Sequence, residues 1–110
     1  MHKTSWDKIR KEKMKDGVMR QVLHGDHSTL AGVSLEKGLH VESHSHRSEQ
    51  FSLILSGSLR MIFDDREEIL NAGEIIFIPA HEPHAAEALD EIWGIDFFAP
   101  RRAEWISENE

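Results

Sequence analysis

The chain contains no cysteine. Disulfides and thiolate chemistry are excluded, so any metal site must use imidazole, carboxylate or amide donors. No run of about 18 apolar residues occurs, and no membrane-spanning helix is expected. Positive charge is in deficit: 13 Lys and Arg against 20 Asp and Glu leave a formal charge of −7 over 110 residues. A general nucleic-acid binder needs a basic surface, which this balance argues against. A local pocket remains free to carry the opposite sign. The opening residues, MHKTSWDKIRKEKMKDG, lack the apolar core of a signal peptide, and a soluble cytoplasmic protein is expected. Internal repeats and sustained helical periodicity are also missing. The length suits one domain with a modest core.

What is present is a series of short β-type segments divided by Gly, Pro, Asn and Asp turns. Val18–His24, Thr29–Leu35, Leu39–Ser43, Gln50–Ser56, Leu59–Phe63, Glu67–Leu70, Ile75–Ile78, His84–Ala88 and Ile92–Phe98 read as strands. Leu59–Phe63 is expected to pair with Gln50–Ser56 as a hairpin across Gly57–Ser58. Ile75–Ile78 is apolar throughout and reads as a strand buried on both faces. Many short strands imply an all-β fold class. At this length a single jelly-roll barrel is the natural closure, because it hides strand edges. Residues 1–16 read as a loosely ordered polar arm, with a helical turn starting at Ser5. Residues 17–106 form the barrel domain, Pro100 stops the sheet, and Arg101–Ile106 reads as a short closing helix.

Eight histidines are present, and their clustering matters more than their number. His44 and His46 are two apart, and Gln50 follows four residues later. In an extended chain these side chains share one face, while Glu49 points the other way. Three donors on one strand face make a metal site, and the rest of the chain is then searched for another. His24, His27 and His40 have no evident partner and read as surface residues.

These residues carry a resemblance. Gly38, five residues, His44-Ser45-His46, three residues, Gln50, six residues and Gly57 resemble the first motif of the cupin family of small β-barrels. Gly73, five residues, Pro79-Ala80-His81, two residues, His84, three residues and Ala88 resemble the second. The departures are Gln50 for the usual Glu, His81 for Gly and Ala88 for Asn. The Gly that His81 replaces reads as a positive-φ position, which His tolerates better than β-branched residues do. His81 is read as a structural or rim residue. The resemblance implies a cupin barrel in which His44, His46, Gln50 and His84 hold one divalent transition metal (Zn, Ni, Fe, Mn or Cu). With Gln in place of Glu, three neutral imidazoles leave a divalent site at about +2 instead of about +1. Such a site attracts anions better and acidifies bound water more.

The tail Asp96-Phe-Phe98-Ala-Pro100-Arg-Arg102 resembles that of the small KdgF-type cupins of pectin and alginate breakdown, which open unsaturated monouronates. The resemblance implies that Asp96 and Arg102 are catalytic and that Phe98 contacts substrate. Asp96 would move a proton, Arg102 would clamp a substrate carboxylate and Phe98 would stack on a sugar face. A plainer reading makes Asp96 and Arg102 an ion pair closing the barrel end, with Phe98 in the core. Three functions follow: a metal-dependent isomerase or lyase acting on a small anionic carbohydrate, a metal-dependent dioxygenase, or a small-ligand-binding cupin without catalysis. The resemblance also implies a homodimer. Trp6, Ile9 and Met14 would dock on the partner or equally on their own barrel.

Overall fold

A computed structural model of the chain describes residues 2–106; residue 1 of the expected arm lies outside them. Ten strands form two antiparallel sheets among the described residues. They are β1 (Glu12–Lys15), β2 (Val18–His24), β3 (Thr29–Leu35), β4 (His40–His44), β5 (Glu49–Ser56), β6 (Ser58–Phe63), β7 (Glu67–Asn71), β8 (Ile75–Ile78), β9 (His84–Ala88) and β10 (Ile92–Ala99). One sheet has the order β1-β2-β3-β10-β5-β8, and the other β4-β9-β6-β7. No helix among the described residues is long and apolar enough to cross a membrane. The all-β barrel expected from the turn spacing is the architecture found.

The core lies between the sheets. Period-two alternation sends Ile54 of β5, Leu59, Met61 and Phe63 of β6, Ala86 and Ala88 of β9, and Ile92 of β10 inward, where they pack as one cluster. At about 25 cal/mol per Å² of apolar surface, burying each large side chain contributes roughly 1.5–3 kcal/mol.

Several local expectations are corrected. β5 and β6 are not a hairpin: β5 pairs with β10 and β8, whereas β6 pairs with β7 and β9. Gly57 between them has φ +87°, and a Cβ there would run into the Glu91 carbonyl. The chain thus turns a corner from one sheet into the other, which only glycine permits at this spot. Ile75–Ile78 is not buried on both faces. It is an edge strand in which Ile78 is fully buried while Ile75 and Phe77 are 63% and 45% exposed.

The N-terminal arm is not loose over its second half. Glu12–Lys15 adds β1 to the sheet by pairing with β2, and Arg20 bonds to Glu12. The turn expected at Ser5 is a single 3-10 turn, Trp6–Lys8, with Ser5 preceding it. The Gln21 amide donates to the Trp6 and Ile9 carbonyls, and Trp6 meets Trp93 edge-on at 5.5 Å between ring centres. The arm therefore lies on its own barrel. At the other end, the expected closing helix is one 3-10 turn, Ala103–Trp105.

Candidate metal centre

Two sheets and one loop supply the site. β4 and β9 pair so that His44 lies opposite His84. His46 belongs to the loop after β4, not to a continuous strand running to Gln50 as the parity reading assumed. That loop is held from two sides: the His81 amide donates to the His46 carbonyl at 2.7 Å, and Ser48 Oγ donates to the Pro100 carbonyl at 2.5 Å. His81 has φ 66°, the positive value expected where the cupin motif has Gly. In the facing sheet, β5 and β10 pair with Gln50 opposite Phe98 and Ser52 opposite Asp96.

The ligand atoms of His44, His46 and His84 lie within 4.8 Å of one another. Each Nδ1 faces a backbone carbonyl: Glu42 at 2.9 Å for His44, Ser48 at 2.7 Å for His46 and Glu82 at 2.8 Å for His84. A carbonyl only accepts, so each Nδ1 carries a proton and each ring turns its Nε2 to the common centre. His84 is 4% exposed, and its Nε2 is buried without a hydrogen-bond partner among the described residues. Burial first, then the neighbouring rings and Arg102, pushes the His84 pKa down to about 4 against the backbone bond that raises it. His46 is shifted down as well, chiefly by burial. Three imidazoles with Nδ1 tied to the backbone and Nε2 converging, two of them turned by burial against a second proton, suit a borderline divalent ion.

Gln50 Oε1 stands 3.0 Å from His46 Nε2. With the His46 proton on Nδ1, both of these atoms present lone pairs. Two acceptors this close repel unless a cation or a proton lies between them. Glu49, by contrast, is exposed and lies opposite Ala99. These four side chains fit a divalent metal.

Asp96 accepts from Ser52 Oγ at 2.6 Å, and loss of water around it pushes its pKa up to about 6. Arg102 is buried, its Nε donates to Glu104, and its guanidinium lies 4.8 Å from the Phe98 ring centre and 4.1 Å from that of Trp105. The simple Asp96–Arg102 ion pair is therefore not the arrangement found; each group has its own partner. Phe98 is buried and packs edge-on against His46 and Trp105. His44, Gln50, Ser52, His84, Asp96 and Arg102 line one cavity of about 200 Å³ together with Phe98 and Trp105. A larger open depression of about 630 Å³, around Lys13, Glu36 and Trp93, contains no histidine.

The sequence reading assigned no role to Ser52 or Trp105. Strand parity puts Ser52 on the face of Gln50, but its partner Asp96 is set by the register of β5 with β10. His40 and His24 do have partners: His40 pairs with Glu87 at 2.9 Å, and His24 meets Thr29 at 2.8 Å.

Comparison with known proteins bears on this geometry. The cupin domain model matches residues 32–91, more than half of the chain. The chain belongs to the cupin family. An uncharacterized protein of Methanocaldococcus jannaschii is 32% identical over 97 residues, covering 82% of this cupin and 78% of that protein. An RmlC-like cupin from Shewanella frigidimarina superposes with a TM-score of 0.89 at 26% identity, over 96% of both chains. KdgF from Halomonas sp. superposes with a TM-score of 0.86 at 23% identity, over 93% of this cupin and 97% of that chain. That last likeness is one of fold.

Proposed function

We propose that this cupin is a metal-dependent enzyme that opens or isomerises the ring of a small anionic carbohydrate, such as an unsaturated uronate, without redox change. The observation that carries the reading is the single cavity lined by two of the histidines, Gln50, Asp96, Phe98 and Arg102. His44, His46, His84 and Gln50 hold the ion. A divalent transition metal bound there supplies a Lewis acid that polarises a substrate oxygen. Asp96 carries the proton: a carboxyl group titrating at about 6 both takes up and releases protons near neutrality. Ser52 aims that carboxyl into the cavity. Arg102, its plane held by Phe98 and Trp105, meets the substrate carboxylate, and Phe98 offers an apolar wall to the sugar. A cavity of about 200 Å³ is below the roughly 300 Å³ of pockets for drug-sized ligands, which favours a monomer over a chain.

The resemblance of the Asp96–Arg102 tail to ring-opening cupins selects the substrate class. The test is turnover of an unsaturated monouronate by metal-loaded protein, followed by the loss of its ring-conjugated absorbance. No turnover with any of Zn, Ni, Fe, Mn or Cu would sink the reading. Oxygen consumption by the Fe- or Cu-loaded protein would point to a dioxygenase instead, and tight binding without turnover to a binding cupin.

The reading includes a homodimer. Phe97, Phe51 and Phe77 lie in register across β10, β5 and β8 on the outer face, all exposed, with Ile75 beside them. A row of this kind is suited to cover by a second copy of the same face. Light scattering decides it, and a monomer at micromolar concentration would overturn this part.

A further inference from the structure

Gln50 stands where the cupin motif usually has Glu, and its neighbours give a physical reason. Gln50 Nε2 donates to Ser52 Oγ at 2.8 Å, and Ser52 Oγ donates to Asp96 Oδ1 at 2.6 Å. Gln50 and Ser52 are 7% and 3% exposed, so solvent has little access to complete these bonds. A serine hydroxyl has one proton to give. Asp96 takes it. Position 50 must then donate to Ser52, which an amide does and a carboxylate does not. Giving its NH₂ group to Ser52 also turns Gln50 Oε1 toward His46 Nε2, 3.0 Å away. The reversed chain would aim the amide nitrogen at His46 and offer no lone pair to a cation.

We propose that Ser52 is a positioning residue that sets the direction of a one-way hydrogen-bond chain from Gln50 through Ser52 to Asp96. This chain, together with a direct hydrogen bond from the Gln50 amide to the Asp96 carboxylate, is the reason the barrel carries Gln at position 50 with Asp at position 96. Glu at position 50 would set two carboxylates against a single hydroxyl proton. Repulsion and an unsatisfied buried acceptor would both follow. A polarity-swapped pair, Gln50→Glu with Asp96→Asn, keeps the charge and the number of bonds. In it the Asn amide donates to Ser52, and Ser52 donates to the new carboxylate. The inference rests on the placement of Gln50 beside His46 and is independent of the substrate.

The test uses the full chain, freed of metal by chelator, at pH 8. Melting temperatures are measured for wild type, Gln50→Glu, Asp96→Asn and the double variant, each with Ser52 and with Ser52→Ala. Gln50→Glu is expected to melt more than about 5 °C below wild type. Adding Asp96→Asn should restore most of that loss, by more than Asp96→Asn changes the wild type. In the Ser52→Ala background the restoration should at least halve. Zinc affinity, measured by competition with a chelating dye, should fall about tenfold in Ser52→Ala, because the amide loses the partner that orients it. Gln50→Glu melting like wild type would overturn the proposal. So would a restoration undiminished without Ser52, which would mean direct charge repulsion alone, or unchanged zinc affinity in Ser52→Ala. If Gln50→Glu does not fold, a folded double variant supports the proposal and an unfolded one overturns it.

Discussion

The two halves of the cavity are held in place by different means. On the histidine side, each ring is fixed by a carbonyl two residues away in its own segment: Glu42 for His44, Ser48 for His46, Glu82 for His84. On the acid side, contacts with residues distant in sequence are added to the local bond from Arg102 Nε to Glu104. Asp96 depends on Ser52, and the Arg102 amide depends on the Thr29 hydroxyl at 2.8 Å. The first half is built from local backbone geometry. The second exists only once β3, β5 and β10 are in register. Binding of the ion should therefore be separable from proton transfer and substrate capture.

Asp96→Asn gives the largest expected separation. Turnover should fall by about 10² to 10⁴, the usual worth of a positioned acid or base, with metal content unchanged. An Asn oxygen still accepts from Ser52, so Gln50 keeps its orientation. Loss of metal along with activity would merge the two halves. Arg102→Gln comes next. It should raise KM about tenfold or more with a smaller fall in kcat, as expected for a group that binds a substrate carboxylate. A fall in kcat alone would contradict that role.

The smallest effect lies in the pH dependence of the metal-free fold. His84 drops from 6.5 to about 4 on folding, so the folded state holds fewer protons between those values and loses stability as pH falls through them. Asp96 rises from 3.8 to about 6, so its contribution runs the other way and the folded state gains as pH falls through that window. The two oppose each other, and His46, also shifted down, acts in the same direction as His84. Wild-type stability should therefore rise only modestly from pH 4 to 6.5, measured by urea unfolding of chelator-treated protein. Asp96→Asn removes the opposing contribution. It should gain on the order of 1–3 kcal/mol as pH rises across that range. A wild-type slope as steep as the variant's would show that Asp96 is not desolvated as described.

The same division explains what was legible in the chain. Val18–His24, Thr29–Leu35 and His84–Ala88 form strands with the bounds read from alternation and turn residues. His44, His46 and His84 are set by short fixed spacings, so a local pattern found them. Gln50 faces His46 as parity required, although the strand assumed between them is interrupted at residues 45–48. Strand partners were not legible. Gly57 looked like a hairpin glycine, because sequence shows that a turn is needed there but not which sheet the chain enters next. Ile75 and Phe77 looked buried because four apolar residues in a row read alike in a central strand and at an edge. Ser52 escaped notice for a related reason. Its role comes from lying opposite Asp96, 44 residues away, and register is a property of the sheet.

The most direct test of the centre is metal analysis of chelator-treated protein after reloading, comparing wild type with His84→Ala. His84 supplies the buried nitrogen that has no hydrogen-bond partner among the described residues, so its removal takes away a ligand while leaving Ser52 and Asp96 untouched. Wild type should hold one divalent ion per chain. His84→Ala should bind it more than about a hundredfold more weakly and lose most of it on desalting. Full occupancy in His84→Ala, or none in wild type, would contradict the assignment of these histidines as the ligands.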